Sequence, residues 1–323
     1  MTGFPFRRIA LALSLGLTAP LVHAADAQAL FARMYQAGRS LDYEGTFVYQ
    51  RGDRMESLRI IHKTGASGVR ERLVSLNGAP REIIRTDSEV RCYLPDENAA
   101  LIEHRRADNR SFPALLPDSL ALLNDNYKIR VGKQGRVAGR KTVSVLIKPR
   151  DAYRYGYLLW ADEASGLLLK ASLLNEHGGV VEQYMFTQVN IGKPIPESDL
   201  KPQYPATGVV WQRPNDETPT PSAGKWTVEH LPAGFTLSAR MMRMLPAHKQ
   251  PVEHLVYSDG LAVVSVFIEH AENSDKSNVL SGLSHMGAVH AFGMVVDGHQ
   301  VTVVGEAPAL TVDMIGGSVR IGP

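Results

Sequence analysis

Between residues 43 and 191 the chain repeats one device: short runs with a period of two, separated by turn residues. YEGTFVYQ (43–50), MESLRIIHKT (55–64), GVRERLVSL (68–76) and EVRCYLP (89–95) alternate in this way. Between them stand Arg51-Gly52-Asp53, Gly65-Ala66-Ser67, Asn77-Gly78 and Asp87-Ser88. Successive side chains on a strand point to opposite faces, so the alternation predicts strands. Asn-Gly and similar pairs supply the positive φ that tight hairpins require. Connections this short leave no room for parallel crossovers, which need roughly a dozen residues. The expectation is a long antiparallel meander.

One helical stretch precedes it and another interrupts it. DAQALFARMYQAG (26–38) places Leu30, Phe31, Met34 and Tyr35 on one stripe, with Asp26 as a cap and Gly38 as a stop. FPALLPDSLALLNDN (112–126) carries a leucine-rich run that Asp118 or Ser119 can cap. Strands resume at YKIRVG, KTVSVLIKP, YGYLLWAD, LLLKASLLN and VVEQYMFTQVNI. Residues 194–224 then gather Pro194, Pro196, Pro202, Pro205, Pro214, Pro219 and Pro221 and end in ETPTPSAG, which is linker chemistry. Trp211 is out of place there; it either docks back onto a domain or awaits a partner. A second β-rich unit follows in WTVEHLPAGFTL, PVEHLVYS, LAVVSVFIE, GAVHAFGMVVDG and HQVTVVGE. Pro308 opens a terminal helix, ALTVDMIGGSV. The expected class is α+β in two domains: a signal peptide over 1–24, a first domain over 25–204, a linker over 205–224 and a smaller α+β domain over 225–323.

The N-terminus points to export. Arg7 and Arg8 precede the apolar IALALSLGL (9–17), and Val22-His23-Ala24 has small residues at the −3 and −1 positions of a cleavage site. The apolar run is too short to span a bilayer, so a cut after Ala24 and a periplasmic location are expected. Cleavage removes two of the 35 basic residues and none of the 33 acidic ones, leaving a formally neutral chain. No global field favours nucleic acid or a membrane surface. Cys92 is the single cysteine, so no internal disulfide supports the fold.

Catalytic and metal patterns are absent. Ser258-Asp259-Gly260, inside YSDGLAVVSVFIE, lacks nucleophile-elbow spacing and reads as the bend before a strand. The eleven histidines form no HExxH or paired HxH motif. GKQGRVAG (132–139) lacks the spacing of a phosphate-binding glycine loop. Acid pairs such as Asp151 with Asp162 or Glu163 have no separation readable from sequence, so glycosidase chemistry stays open and unsupported. No cofactor is expected. Charge does concentrate locally: residues 128–154 hold Lys128, Arg130, Lys133, Arg136, Arg140, Lys141, Lys148, Arg150 and Arg154 against Asp151 alone. Arg105, Arg106 and Arg110 precede them. Arg130, Lys133, Arg136 and Arg140 are the candidate contacts for an anionic lipid head group; a solvated strand face is the alternative.

LDYEGTFVYQRGDRMESLRIIH, EVRCYLPDE, LPAGFTL, YSDGLAVVSVFIE and HQVTVVGEAP together resemble the MucB/RseB family across the whole mature chain. The resemblance implies a first domain like the lipoprotein carriers: a curved, incompletely closed antiparallel sheet with helices on its concave side. It also implies a periplasmic regulator of the envelope-stress sigma factor, not an enzyme. Such a protein binds the periplasmic part of a MucA/RseA-like anti-sigma factor, shields it from site-1 proteolysis, and is released by lipopolysaccharide or another acylated lipid. Trp211, Trp226, Arg240 and Arg243, in and beyond the linker, are the candidate partner contacts. A periplasmic carrier of lipids or lipoproteins is the other reading. Homo-oligomers stay open.

Overall fold

A computed structural model describes residues 24–66, 68–104, 123, 125–204, 210–212, 220–222, 224–245, 248, 250–271 and 280–322. The expected cleavage region and most of the 112–126 helix lie outside the described residues, as do Arg105, Arg106, Arg110 and parts of the linker.

Helix α1 (Ala24–Ser40) comes first. It runs past Gly38, the expected stop, and the Ser40 hydroxyl donates back to the Gln36 carbonyl. Leu30, Phe31, Met34 and Ala37 are its buried stripe, whereas Tyr35 is half-buried. Twelve strands follow: β1 (Tyr43–Arg51), β2 (Arg54–Gly65), β3 (Gly68–Ser75), β4 (Glu82–Arg85), β5 (Glu89–Leu94), β6 (Ala99–His104), β7 (Tyr127–Val137), β8 (Arg140–Pro149), β9 (Gly156–Asp162), β10 (Leu168–Leu174), β11 (Val180–Ile191) and β12 (Val210–Gln212). They form one sheet in the order β12-β6-β5-β4-β3-β2-β1-β11-β10-β9-β8-β7. The expected single meander is thus two meanders, β1 to β6 and β7 to β11, joined along β1 and β11.

The sheet curls without closing. β7 approaches β11 although three strands lie between them, while the edges β7 and β12 do not pair. Register shifts at Thr46/Phe47 and Val131/Gln134 supply local bends. Helix α1 lies against β7 and β10 on the concave side. There its apolar stripe meets Tyr43, Phe47, Tyr127, Val145, Ile147, Leu159 and Phe186, the first core.

The second unit holds β13 (Thr220–Pro221), β14 (Trp226–Val228), β15 (Thr236–Arg243), β16 (Val252–Ser258), β17 (Val263–His270), β18 (Gly282–Met286), β19 (Val289–Val296), β20 (His299–Gly305), α2 (Ala309–Gly317) and β21 (Val319–Ile321). Seven strands order as β13-β15-β16-β17-β20-β19-β18, and β14 pairs with β21. Helix α2 packs over β19 and β20 and buries Val312 and Ile315 against Leu255, Val264, Val266, Val301 and Val303, the second core. The protein is a large curved antiparallel sheet beside a smaller α+β unit, and neither forms a closed barrel.

Candidate functional site

The bend of YSDGLAVVSVFIE is where the two units meet. Gly260 takes φ +100°, a conformation that favours glycine, and the Ser258 hydroxyl donates to the Ala262 carbonyl at 2.9 Å. Ser258 therefore closes a turn. Asp259 is buried and serves both sides of the junction. Its Oδ1 accepts from the Leu261 and Ala262 amides at 2.9 and 2.8 Å. Its Oδ2 accepts from the Tyr127 hydroxyl at 2.9 Å and from Arg154 Nη1 at 2.6 Å, both on the first unit.

Arg154 has 0% exposure, which requires every donor to find an acceptor. Nε reaches Asp151 Oδ1 at 3.0 Å and Nη2 reaches the Ala233 carbonyl at 2.6 Å. The guanidinium lies 5.5 Å from the Tyr127 ring centre and 5.4 Å from that of Phe235. Leu261 packs onto the first core. At Gly234, φ is +80°, a conformation that favours glycine, and a Cβ would lie 2.0 Å from Asn126 Nδ2, so any side chain here must displace Asn126.

A second contact patch flanks the first. Thr311 donates to the Tyr153 carbonyl at 2.6 Å. The Ala288 amide donates to Glu182 Oε1 at 3.3 Å, and Tyr49 donates to Glu182 Oε2 at 2.5 Å. Tyr155, Leu173 and Ala288 form a small buried cluster across the junction. Desolvation, then the nearby Glu182 charge, push the Glu306 carboxyl up to about 7, although solvent still reaches its side chain.

The basic segment is the hairpin β7–β8, and the structure sorts its charges. Lys128 stands opposite Lys148 and Arg130 opposite Leu146, on the face away from the core residues Tyr127, Val145 and Ile147. With Pro149 and Arg150 they line a groove of about 470 Å³. Lys133 sits in the β7 register shift, and its carbonyl accepts from Ser144 at 3.0 Å. Arg136 faces Lys141 near the hairpin tip. Arg140 is held by Asp162 in two bonds of 2.8 and 3.1 Å. Burial raises the Asp162 carboxyl, but Arg140 and Ser165 outweigh that and keep its pKa below the usual carboxylate value. Of the four candidate head-group residues, only Arg130 lines the groove. Sequence reading singled out neither Lys128 nor Lys148 for this role, although period-two spacing from Arg130 leads to Lys128.

The candidate partner contacts scatter. Trp211 lies in β12, which adds parallel to β6, and its ring meets Tyr93 edge-on at 5.8 Å. It stays 37% exposed. Trp226 is buried in the second core, edge-on to His299 at 5.1 Å. Arg240 donates to the carbonyls of Gly224 and Trp226 and to Glu253. Arg243 ends β15 and is half-buried. A cavity of about 150 Å³ opens beside Trp226, bordered by His248, Glu253, Glu269, His270 and His299. No group of three or more metal-ligating side chains occurs among the described residues. Burial pushes the Cys92 thiol up, away from thiolate chemistry.

The sequence profile of the MucB/RseB N-terminal domain matches residues 26–204, and that of the MucB/RseB C-terminal domain matches 220–320. The sigma factor AlgU regulatory protein MucB of Pseudomonas aeruginosa is 36% identical over 318 residues, covering 97% of this chain and 98% of that protein. The sigma-E factor regulatory protein RseB of Escherichia coli is 29% identical over 299 residues, 91% of this chain and 90% of that one. Two solved structures share the fold. One, of MucB in complex with MucA(peri), has a TM-score of 0.70 at 32% identity and covers 93% of this chain and 100% of that one. The other, of the Pseudomonas aeruginosa MucA/MucB complex, has a TM-score of 0.71 at 34% identity and covers 92% and 99%. The chain belongs to the MucB/RseB family.

Proposed function

We propose that this protein is an exported, periplasmic, non-enzymatic regulator that binds the periplasmic part of a MucA/RseA-like membrane anti-sigma factor. Bound, it shields that segment from site-1 proteolysis; lipopolysaccharide or a related acylated lipid releases it. The observation that carries this reading is the match of both units, at a TM-score of 0.70, to a MucB chain solved in complex with MucA(peri). The division into 25–204, a linker over 205–224 and 225–323 belongs to the same proposal, with lipid sensing in the first domain and partner binding in the second.

Among the candidate partner contacts, Trp211 presents the accessible aromatic surface that interfaces favour. Arg130 is the candidate head-group residue that lines a groove, with Lys133 and Arg136 further along the hairpin. The test is reconstitution. The mature chain is mixed with the periplasmic segment of the anti-sigma factor from the same genome, and cleavage by the cognate site-1 protease is followed. Protection that disappears on adding lipopolysaccharide supports the reading. Absence of binding at micromolar concentrations, or cleavage that the mature chain leaves unchanged, rejects it.

A further inference from the structure

The convex face of the β7–β8 hairpin carries an electrostatic cost that the fold does not offset. Lys128 and Lys148 are directly opposed in the antiparallel register. Like charges in that relation destabilise a sheet. Arg130, two positions along β7, points to the same face. Among the described residues no carboxylate forms an ion pair with Lys128, Arg130 or Lys148. Elsewhere cations are matched: Arg140 by Asp162, Arg72 by Glu82, Arg154 by Asp151 and Asp259.

Shape sets this place apart from an ordinary solvated strand face. The three cations and Arg150 border a groove of about 470 Å³ whose lining also includes Leu146 and Pro149. That volume lies within the range of small-molecule sites, roughly 300–1,000 Å³. A second like-charge pair, Arg136 opposite Lys141, lies on the same hairpin outside that groove. We propose that the groove of Lys128, Arg130, Lys148 and Arg150 is a binding site for phosphate groups. The lysines supply point charges, Arg130 supplies a planar fork for two phosphate oxygens, and Leu146 and Pro149 accept the apolar part of a phosphate-bearing ligand.

The groove also adjoins the domain junction. The Arg150 amide donates to the Asn126 carbonyl at 2.9 Å, and the next residue, Asp151, accepts from Arg154. A ligand in the groove thus sits one residue from Asp151, which holds Arg154, and Arg154 in turn pairs with Asp259 of the second unit. Any role as the trigger of release rests on the lipid reading proposed above; the phosphate site itself does not.

The test uses the full mature chain with two probes: inorganic pyrophosphate, and phosphatidylcholine vesicles with and without phosphatidylglycerol. Lys128→Gln/Lys148→Gln and Arg130→Gln should each weaken pyrophosphate binding by about tenfold or more, the scale of one lost charge-assisted hydrogen bond. Arg136→Gln/Lys141→Gln removes equal charge at the hairpin tip and should change binding by less than about twofold. Without anion, the double lysine variant should melt no lower than the parent, because a repulsion has been removed; pyrophosphate should raise the melting temperatures of the parent and the tip variant more than those of the groove variants. Binding of both probes assigns the site to lipid phosphates, and binding of pyrophosphate alone assigns it to a soluble phosphate ligand. A parent that binds neither, or a tip variant that loses as much as the groove variants, overturns the site. If lipopolysaccharide fails to release the anti-sigma segment while pyrophosphate still binds, the release mechanism falls and the groove stands.

Discussion

Replacing Asp259 by Asn removes one charge from the domain junction while leaving a carbonyl oxygen for the amides of Leu261 and Ala262. The lost interaction is the 2.6 Å pair with Arg154, in which both side chains are fully buried. Breaking one side of such a pair costs about 3–5 kcal/mol, because the remaining charge stays in a poorly solvated place. Arg154 keeps Asp151, whose side chain is 27% exposed, and the Ala233 carbonyl. The lower end, about 3 kcal/mol, is therefore expected, equivalent to roughly a hundredfold in the docking equilibrium of the two units. Urea titration and calorimetry of the mature chain measure it, and the variant should show two separated transitions where the parent shows closer ones. Arg154→Met supplies the second arm, since it strands Asp259 beside Tyr127. In the double variant the costs should fall short of their sum by about 2 kcal/mol or more. A loss below about 1 kcal/mol for Asp259→Asn, or additive costs in the cycle, would refute the claim that this pair holds the junction.

Other expectations test separate parts of the structure. Glu306 has its folded-state pKa raised to about 7, so the folded protein binds more protons than the unfolded chain between the ordinary carboxylate value of 4.5 and about 7. Stability should accordingly rise as pH falls through that window, and Glu306→Gln should flatten the dependence; an identical pH profile for both proteins counts against it. Trp211→Ala should weaken anti-sigma affinity by about 2 kcal/mol, roughly thirtyfold, with the first unit destabilised by no more than about 1 kcal/mol, the worth of its edge-on contact with Tyr93. Affinity held within about threefold while the first unit's stability falls would make Trp211 an intramolecular contact only. Gly234→Ala, which forces a Cβ onto Asn126, should destabilise the junction, and a variant that melts with the parent would show that Asn126 can move aside. Limited proteolysis should first cut between Pro205 and Lys225, and cuts confined to strands would move the boundary.

Much of the fold was readable because alternation and turn chemistry are local. Strands β1, β2, β3, β16, β17, β19 and β20 fall on period-two runs bounded by turn residues such as Arg51-Gly52-Asp53, Asn77-Gly78, Asp259-Gly260 and Asp297-Gly298, whereas β18 was not marked as a strand. The short β4 escaped, since four residues, EIIR, hold too little alternation to register. Its buried Glu82 is matched by Arg72 and by the amides of Gln203 and Tyr204, partners no local pattern announces. Asp259 was legible as part of a bend, and Arg154 as part of a basic run. Their pairing was not, because 105 positions separate them. Trp226 follows the proline-rich segment and looked available to a partner, yet β14 carries it into the second core. The basic hairpin was visible as a count of charges. Which cations share a face depended on the register of β7 against β8, and on a shift at Val131/Gln134 that sequence does not mark.

The seam between the two meanders sets the order in which this sheet can be built. Strand β1 is completed on one side by β2, its neighbour in sequence, and on the other by β11, with Arg51 facing Glu182. Closing a loop of about 130 residues costs roughly 4 kcal/mol of chain entropy, against roughly 1 for a hairpin. A chain appearing from its N-terminus can form β1 to β6 early, but the outer edge of β1 then stays unpaired until residue 191 has emerged. That edge offers Phe47 and Val48 to any other strand nearby. With Cys92 alone, no disulfide can shorten the search. Assembly of the first unit is therefore a race between late closure by β11 and pairing with a foreign chain, and a holding chaperone would matter most while residues 52–179 are out and β11 is not.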